Sequence, residues 1–135
     1  TEFLSEENIT TRGSRLCGPG IRGAAIQPGD AFPHVTIEQH GEPLRATDLL
    51  RGNEATAVVW GKAAEATLPA YFGVGEIGFP LARTILETSG NVTPLLKQFK
   101  LEEDGCILVR PDAVVAAFGA DNTVIEETFD RWKNL

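Results

Sequence analysis

From residue 34 onward the chain sets short apolar runs between turn residues, and the runs are of two kinds. His34-Val-Thr-Ile-Glu-Gln39 alternates, the two-residue period of a strand that turns Val35 and Ile37 inward. Ala55-Thr-Ala-Val-Val-Trp60 is nearly unbroken instead, as a strand covered on both faces would be. Residues 81–86 read as a third strand. Residues 104–119 read as a fourth and a fifth strand, the fourth beginning at Cys106, joined by a turn at Arg110-Pro111-Asp112. Proline presets φ in such a turn, and Asp accepts from nearby backbone N–H groups.

Between these strands, Thr47-Asp48-Leu49-Leu50 predicts a short helix, and about Lys62 to Phe72 a longer one that Pro69 bends or ends. Thr93 is placed to cap a helix over 93–99, with Pro94 at its first position. The closing helix spans about Asn122 to Leu135. Its stripe is Ile125, Phe129 and Trp132, and Thr123 with Glu126 offers a capping box. The predicted order is β-α-β-α-β-α-β-β-α, with parallel pairing among the first three strands and an antiparallel hairpin at the end. That is a thioredoxin-like α/β fold, a central mixed sheet with helices on both faces. Residues 1–33, with CGPGIRG and QPGDAFP, read as an extended lead-in over the surface, and 34–135 as the thioredoxin-like domain.

Composition narrows the partners. A chain of 135 residues makes one domain with a real core. A net charge of −7 argues against nucleic acid and against an anionic membrane surface, both of which need a basic face. No apolar run reaches the ~20 residues of a membrane span. The polar start TEFLSEENITTRG does not resemble a signal peptide. Cys17 and Cys106 form no metal or redox spacing, so a reducing, cytoplasmic setting is expected. The absence of Met implies a trimmed sequence or one part of something longer.

Chemistry is sparse. A redox thioredoxin needs a thiolate at the N-terminus of the helix after its second strand, where backbone N–H groups lower the pKa. Here that position reads Trp60-Gly61-Lys62-Ala63-Ala64, without cysteine. The proline such proteins place before the fourth strand is missing from Glu103-Asp104-Gly105-Cys106. Dithiol exchange is therefore not expected. Cys106 reads as a small buried hydrophobe or as a lone thiol helped by Lys62. With Trp60 these residues define a candidate pocket at that edge. His34 and His40 stand at opposite ends of the first strand, roughly 20 Å apart, too far to share a metal. No metal site and no cofactor is expected. Glu102-Glu103-Asp104 reads as a solvated loop. Asn91-Val92-Thr93 matches a glycosylation acceptor without a secretory signal, and Pro94 follows it. The glycines of Gly73-Val-Gly75-Glu-Ile-Gly78 follow a predicted helix, not a strand, which argues against a phosphate loop.

Gly105-Cys-Ile-Leu-Val-Arg110-Pro111-Asp112-Ala-Val-Val-Ala116 resembles the "G-x-x-L-V-R-P-D-x-x-V-A" signature of FAD-dependent aromatic hydroxylases of the phenol hydroxylase and polyketide hydroxylase type. In that family the signature lies in the C-terminal thioredoxin-like domain. Ile9-Thr-Thr-Arg12-Gly13-Ser14 is similar to the segment leaving the flavin domain, and Gln27-Pro28-Gly29-Asp30 through Val35 to the approach to the first strand. Thr47-Asp48-Leu49-Leu50 sits where the family often has a short helix. The family commonly continues "V-A-W-R", where this chain has Ala117-Phe118. No dinucleotide-binding glycine fingerprint follows a strand, so the hydroxylation chemistry does not carry over. The resemblance implies a non-redox accessory domain acting through protein contacts, by self-association as a dimer or on a flavoprotein partner. Arg110, Pro111 and Asp112 are then a candidate contact turn. The other reading is a small cofactor-free enzyme or binder that takes an aromatic or polyketide-type ligand at Trp60, Lys62 and Cys106.

Overall fold

The computed structural model describes residues 17–74 and 77–133, with 72–74, 77–79 and 132–133 described by their backbone alone. The elements in chain order are β1 (Thr36–Gln39), β2 (Glu42–Arg45), a 3-10 turn (Ala46–Leu49), β3 (Ala55–Trp60) and a second 3-10 turn (Gly61–Glu65). There follow β4 (Tyr71–Val74), β5 (Ile77–Ile85), α1 (Thr93–Phe99), β6 (Gly105–Val109), β7 (Val115–Gly119) and α2 (Thr123–Lys133). Five strands form one mixed sheet in the order β4-β5-β3-β6-β7. β3 runs parallel to β5 and antiparallel to β6, and β6 pairs antiparallel with β7.

The unbroken apolar runs occupy the middle of this sheet. Every residue of β3, β6 and β7 is buried, because both faces are covered. Alternation along β3 sends Val58 and Trp60 into one core, with Leu95 and Phe99 of α1, Ile107, Val109, Phe118 and Ile37 of β1. Ala55, Ala57 and Val59 enter the other core, with Cys106, Leu108, Ala117 and the α2 residues Val124 and Ile125. Phe99 is the hub of the first core: its ring meets Phe118 edge-on at 4.8 Å and Phe32 at 6.2 Å.

Three predicted features take a different form. The first strand does not join a parallel sheet. β1 pairs only with β2, through a two-residue turn in which His40 (φ 53) and Gly41 (φ 80) both have positive φ, as a hairpin turn that follows strand twist requires. The hairpin is fastened by buried Gln39, whose Nε2 donates to the Glu87 carbonyl while its Oε1 accepts the Glu87 N–H. The helix expected over 62–72 is a single 3-10 turn, after which the chain extends into β4. Only Ala63 of that turn is buried, so no apolar stripe repays a longer helix. Arg83 also takes carbonyls a longer helix would use, donating Nη1 to Ala64 and Ala66. Of the strands expected to run parallel, only β3 and β5 do so.

α1 forms over the predicted residues with Pro94 in its first turn, but Val92 and not Thr93 stands at its N-cap, and no side chain caps it. α2 is capped by Asp121 and not by a Thr123–Glu126 box: Asp121 Oδ1 accepts from both the N–H and the hydroxyl of Thr123. Those two bonds hold the Asp121 carboxyl below its ordinary range. Ile125 is buried as expected and Phe129 packs partly buried against the same core. The Trp132 side chain lies outside the described residues, as do Ile9–Ser14.

The lead-in is knitted to the sheet. Residues 17–33 form no regular element, yet Cys17, Ala24 and Phe32 are buried. Its backbone bonds run along the outer side of β7: Gly18 N–H to Ala116, Gly29 N–H to Val115 and Phe32 N–H to Ala113, with Phe118 and Val115 donating back to Pro19 and Asp30.

Candidate functional site

The sheet edge at which the sequence places a candidate pocket lies where β3 ends and β6 begins. Trp60 and Gly105 face each other across the ladder, and Val59 faces Cys106. Trp60 is 1% exposed, and its Nε1 donates to the Glu102 carbonyl at 2.9 Å. Its ring lies against Gly105: a Cβ there would come closer to three ring atoms than real Cβ atoms approach. This close approach requires the glycine.

The next residue is Gly61, at φ +66 in the left-handed region that favours glycine. A Cβ at Gly61 would collide with the Asp104 carboxylate and the Glu103 carbonyl. The Lys62 N–H donates to Asp104 Oδ1 at 2.7 Å. The place at the start of this turn that a reactive thiolate would use is therefore filled by a carboxylate delivered from the β6 side. Asp104 was read from sequence as part of a solvated loop. Its partners, Gly61 and Lys62, are far away in sequence, and only the strand register brings them together.

The three candidate pocket residues are not gathered about one cavity. Trp60 and Cys106 belong to the cores on opposite faces of the sheet, while Lys62 is exposed. Cys106 is fully covered, and burial first, then the charge of Asp121, pushes its thiol from 9.0 up to about 12. Cys17 is also buried. A raised thiol pKa means that the folded state holds this proton more tightly than the unfolded chain. The stability that follows is fully present below about pH 9 and is lost as pH climbs toward 12. In a Cys17→Ser variant, a thiol reagent at pH ~8 should meet no reactive group until denaturant unfolds the chain. Fast reaction of the native variant would contradict the buried placement.

The candidate contact turn is satisfied within itself. Ala113 N–H donates to the Arg110 carbonyl at 2.9 Å and Arg110 N–H to Val114 at 2.8 Å, closing a three-residue hairpin loop with Ala113 at φ 67. The Arg110 guanidinium pairs with Asp112, whose other oxygen accepts the Val114 N–H. The Asp112 side chain is 52% exposed and that of Arg110 only 20%.

Surface cavities among the described residues include three. One of about 410 Å³ lies between residues 65–70 and β5, beside Leu81 and Arg83. Another of about 530 Å³ flanks α1 at Leu96, Lys97 and Lys100. The third, about 280 Å³, lies between Leu68-Pro69 and the Ile125, Phe129 side of α2. None borders Trp60, Lys62 or Cys106. Among the described residues no group of three or more His, Cys, Asp or Glu could hold a metal ion, and no helix is long and apolar enough to cross a membrane.

No family model and no curated protein matches the sequence. Solved structures do. The flavin-dependent monooxygenase PieE, solved with FAD and substrate, matches 93% of this chain with a TM-score of 0.62 at 20% identity. Aklavinone-11 hydroxylase, solved with FAD and aklavinone, matches 84% with a TM-score of 0.50 at 22% identity. The chain has the fold of a part of FAD-dependent hydroxylases. It spans about a quarter of each neighbour, 25% of PieE and 26% of aklavinone-11 hydroxylase. The resemblance carried by Gly105–Ala116 and this likeness in fold point to the same group of enzymes.

Proposed function

We propose that this chain is a non-redox, thioredoxin-like accessory domain of the FAD-dependent aromatic hydroxylases, either their C-terminal part or a stand-alone relative, acting through protein contacts. The observation that carries the reading is the fold match, which takes in nearly all of this chain and only a quarter of each hydroxylase. The strand order supports it. β5, β3, β6 and β7, with β3 and β5 parallel, α1 after β5 and α2 after β7, make a thioredoxin-like core whose first crossover helix has shrunk to the 3-10 turn at Gly61–Glu65.

The non-redox part of the reading rests on Asp104 at the Lys62 N–H and on Cys106 inside the core. By this reading the flavin belongs to the remaining three quarters of such an enzyme, and this chain holds no cofactor of its own. The Arg110-Pro111-Asp112 turn is our first choice for the contact, because it ends the β6–β7 hairpin and presents the half-exposed Asp112. The rival reading, an aromatic or polyketide-type ligand held by Trp60, Lys62 and Cys106, is less well supported, because Trp60 and Cys106 lie in cores on opposite faces of the sheet. In an insulin-reduction assay the protein is expected to turn over no faster than a Cys17→Ser/Cys106→Ser variant. Turnover above that variant would overturn the non-redox reading.

A further inference from the structure

The start of α2 carries two polar side chains that the fold does not use. The sequence offers Glu126 to a capping box, yet Asp121 makes the cap through Thr123. Among the described residues, neither the Glu126 carboxylate nor the side-chain amide of Asn122 has a hydrogen-bond or ion-pair partner. Asn122 stands one residue before α2, and Ile125, Glu126 and Phe129 follow at the spacing of one helical face. All four line the cavity of about 280 Å³ that separates this face from Leu68-Pro69.

The cavity has an apolar body and a polar rim of one kind. Leu68, Pro69, Ile125 and Phe129 supply the body. Ile125 is 1% exposed, and Leu68 and Phe129 pack partly buried against the same core. The volume falls at the small end of ligand pockets, which run from roughly 300 to 1,000 Å³, so it suits one or two rings. Phe129 offers such a ring a face or an edge to pack on. The polar side chains of the lining are Thr67, Asn122 and Glu126. All three can accept a hydrogen bond, one of them is an acid and none is basic. A primary ammonium has three donors and no acceptor, which is the complement of that rim. The other two cavities lack this match, because Arg83 lines one and Lys97 with Lys100 the other.

We propose that the cavity between Leu68-Pro69 and α2 binds a small aromatic primary amine. The ring lies among Leu68, Pro69, Ile125 and Phe129, and the ammonium donates to Glu126, Asn122 and Thr67. This inference does not depend on the hydroxylase reading.

Two probes with one ring system and opposite charge test it. Amide shifts of the labelled protein are followed by NMR at low salt during titration with 1-naphthylmethylamine, and separately with 1-naphthoate. The amine should give saturable shifts at Leu68, Ile125 and Phe129, with a dissociation constant below about 1 mM. An exposed carboxylate changes each affinity only severalfold, but it attracts one probe and repels the other, so naphthoate should bind about tenfold more weakly. Glu126→Gln keeps the shape of the rim and removes its charge. Because Glu126 is exposed and bonds to nothing in the described protein, the fold does not depend on it. In that variant the two affinities should come within about threefold of each other. Three results overturn the proposal: the amine gives no saturable shifts at these residues, naphthoate binds the unaltered protein as tightly as the amine does, or Glu126→Gln leaves the gap between them unchanged.

Discussion

Replacing Trp60 by Ala is expected to destabilise the protein by about 4 kcal/mol, in the middle of the range for a buried aromatic. The side chain is 1% exposed and fills the core shared by α1, β6 and the β1–β2 hairpin. Its removal opens a cavity between α1 and the sheet, and it strips the Glu102 carbonyl of its indole partner. Against a typical total stability of roughly 5–15 kcal/mol, this is a large fraction. Trp60→Phe keeps most of the ring and loses the N–H, so it should cost much less. Denaturant unfolding of the three proteins measures the difference. A cost below about 1 kcal/mol for Trp60→Ala would mean that the indole does not pack as described.

The second large effect comes from adding one carbon. Gly105→Ala places a Cβ inside the Trp60 ring, and neither strand can yield easily because both lie in the middle of the sheet. Overpacking of this kind should cost about 3 kcal/mol. The double variant separates this cause from any general intolerance at position 105. With Trp60→Ala the obstructing ring is gone, so Gly105→Ala should then cost less than about 1 kcal/mol. Additive losses in the double variant would show that the two residues do not meet.

These two residues also mark where sequence reading succeeds and where it stops. The runs at 55–60 and 105–109 are apolar at almost every position, and burial on both faces is the one environment that suits them, so β3 and β6 were legible. α1 was legible from Thr93-Pro94, and part of the inward face of α2, at Ile125 and Phe129, from its helical spacing. The helix expected at 62–72 was not real because several of its residues favour a helix while only Ala63 of the turn finds a core to enter. Local preference without tertiary burial does not sustain a helix. The lead-in looked like surface chain because its contacts with β7 are made by backbone, which leaves no hydrophobic period to read. The site shows the same limit. Gly61 and Asp104 each look unremarkable alone, and their meeting depends on the Trp60–Gly105 register, a long-range fact that no local pattern encodes. The Arg110-Pro111-Asp112 turn was legible as a turn, while the pairing of Arg110 with Asp112 was not.

The measurement closest to the central claim is the intact mass and flavin content of the native product that carries this sequence. The account expects a flavoprotein about four times as long, in keeping with the quarter of each hydroxylase that the chain spans, or a short chain that purifies bound to a flavoprotein. A native product of this length, free of flavin and with no flavoprotein bound, would contradict it.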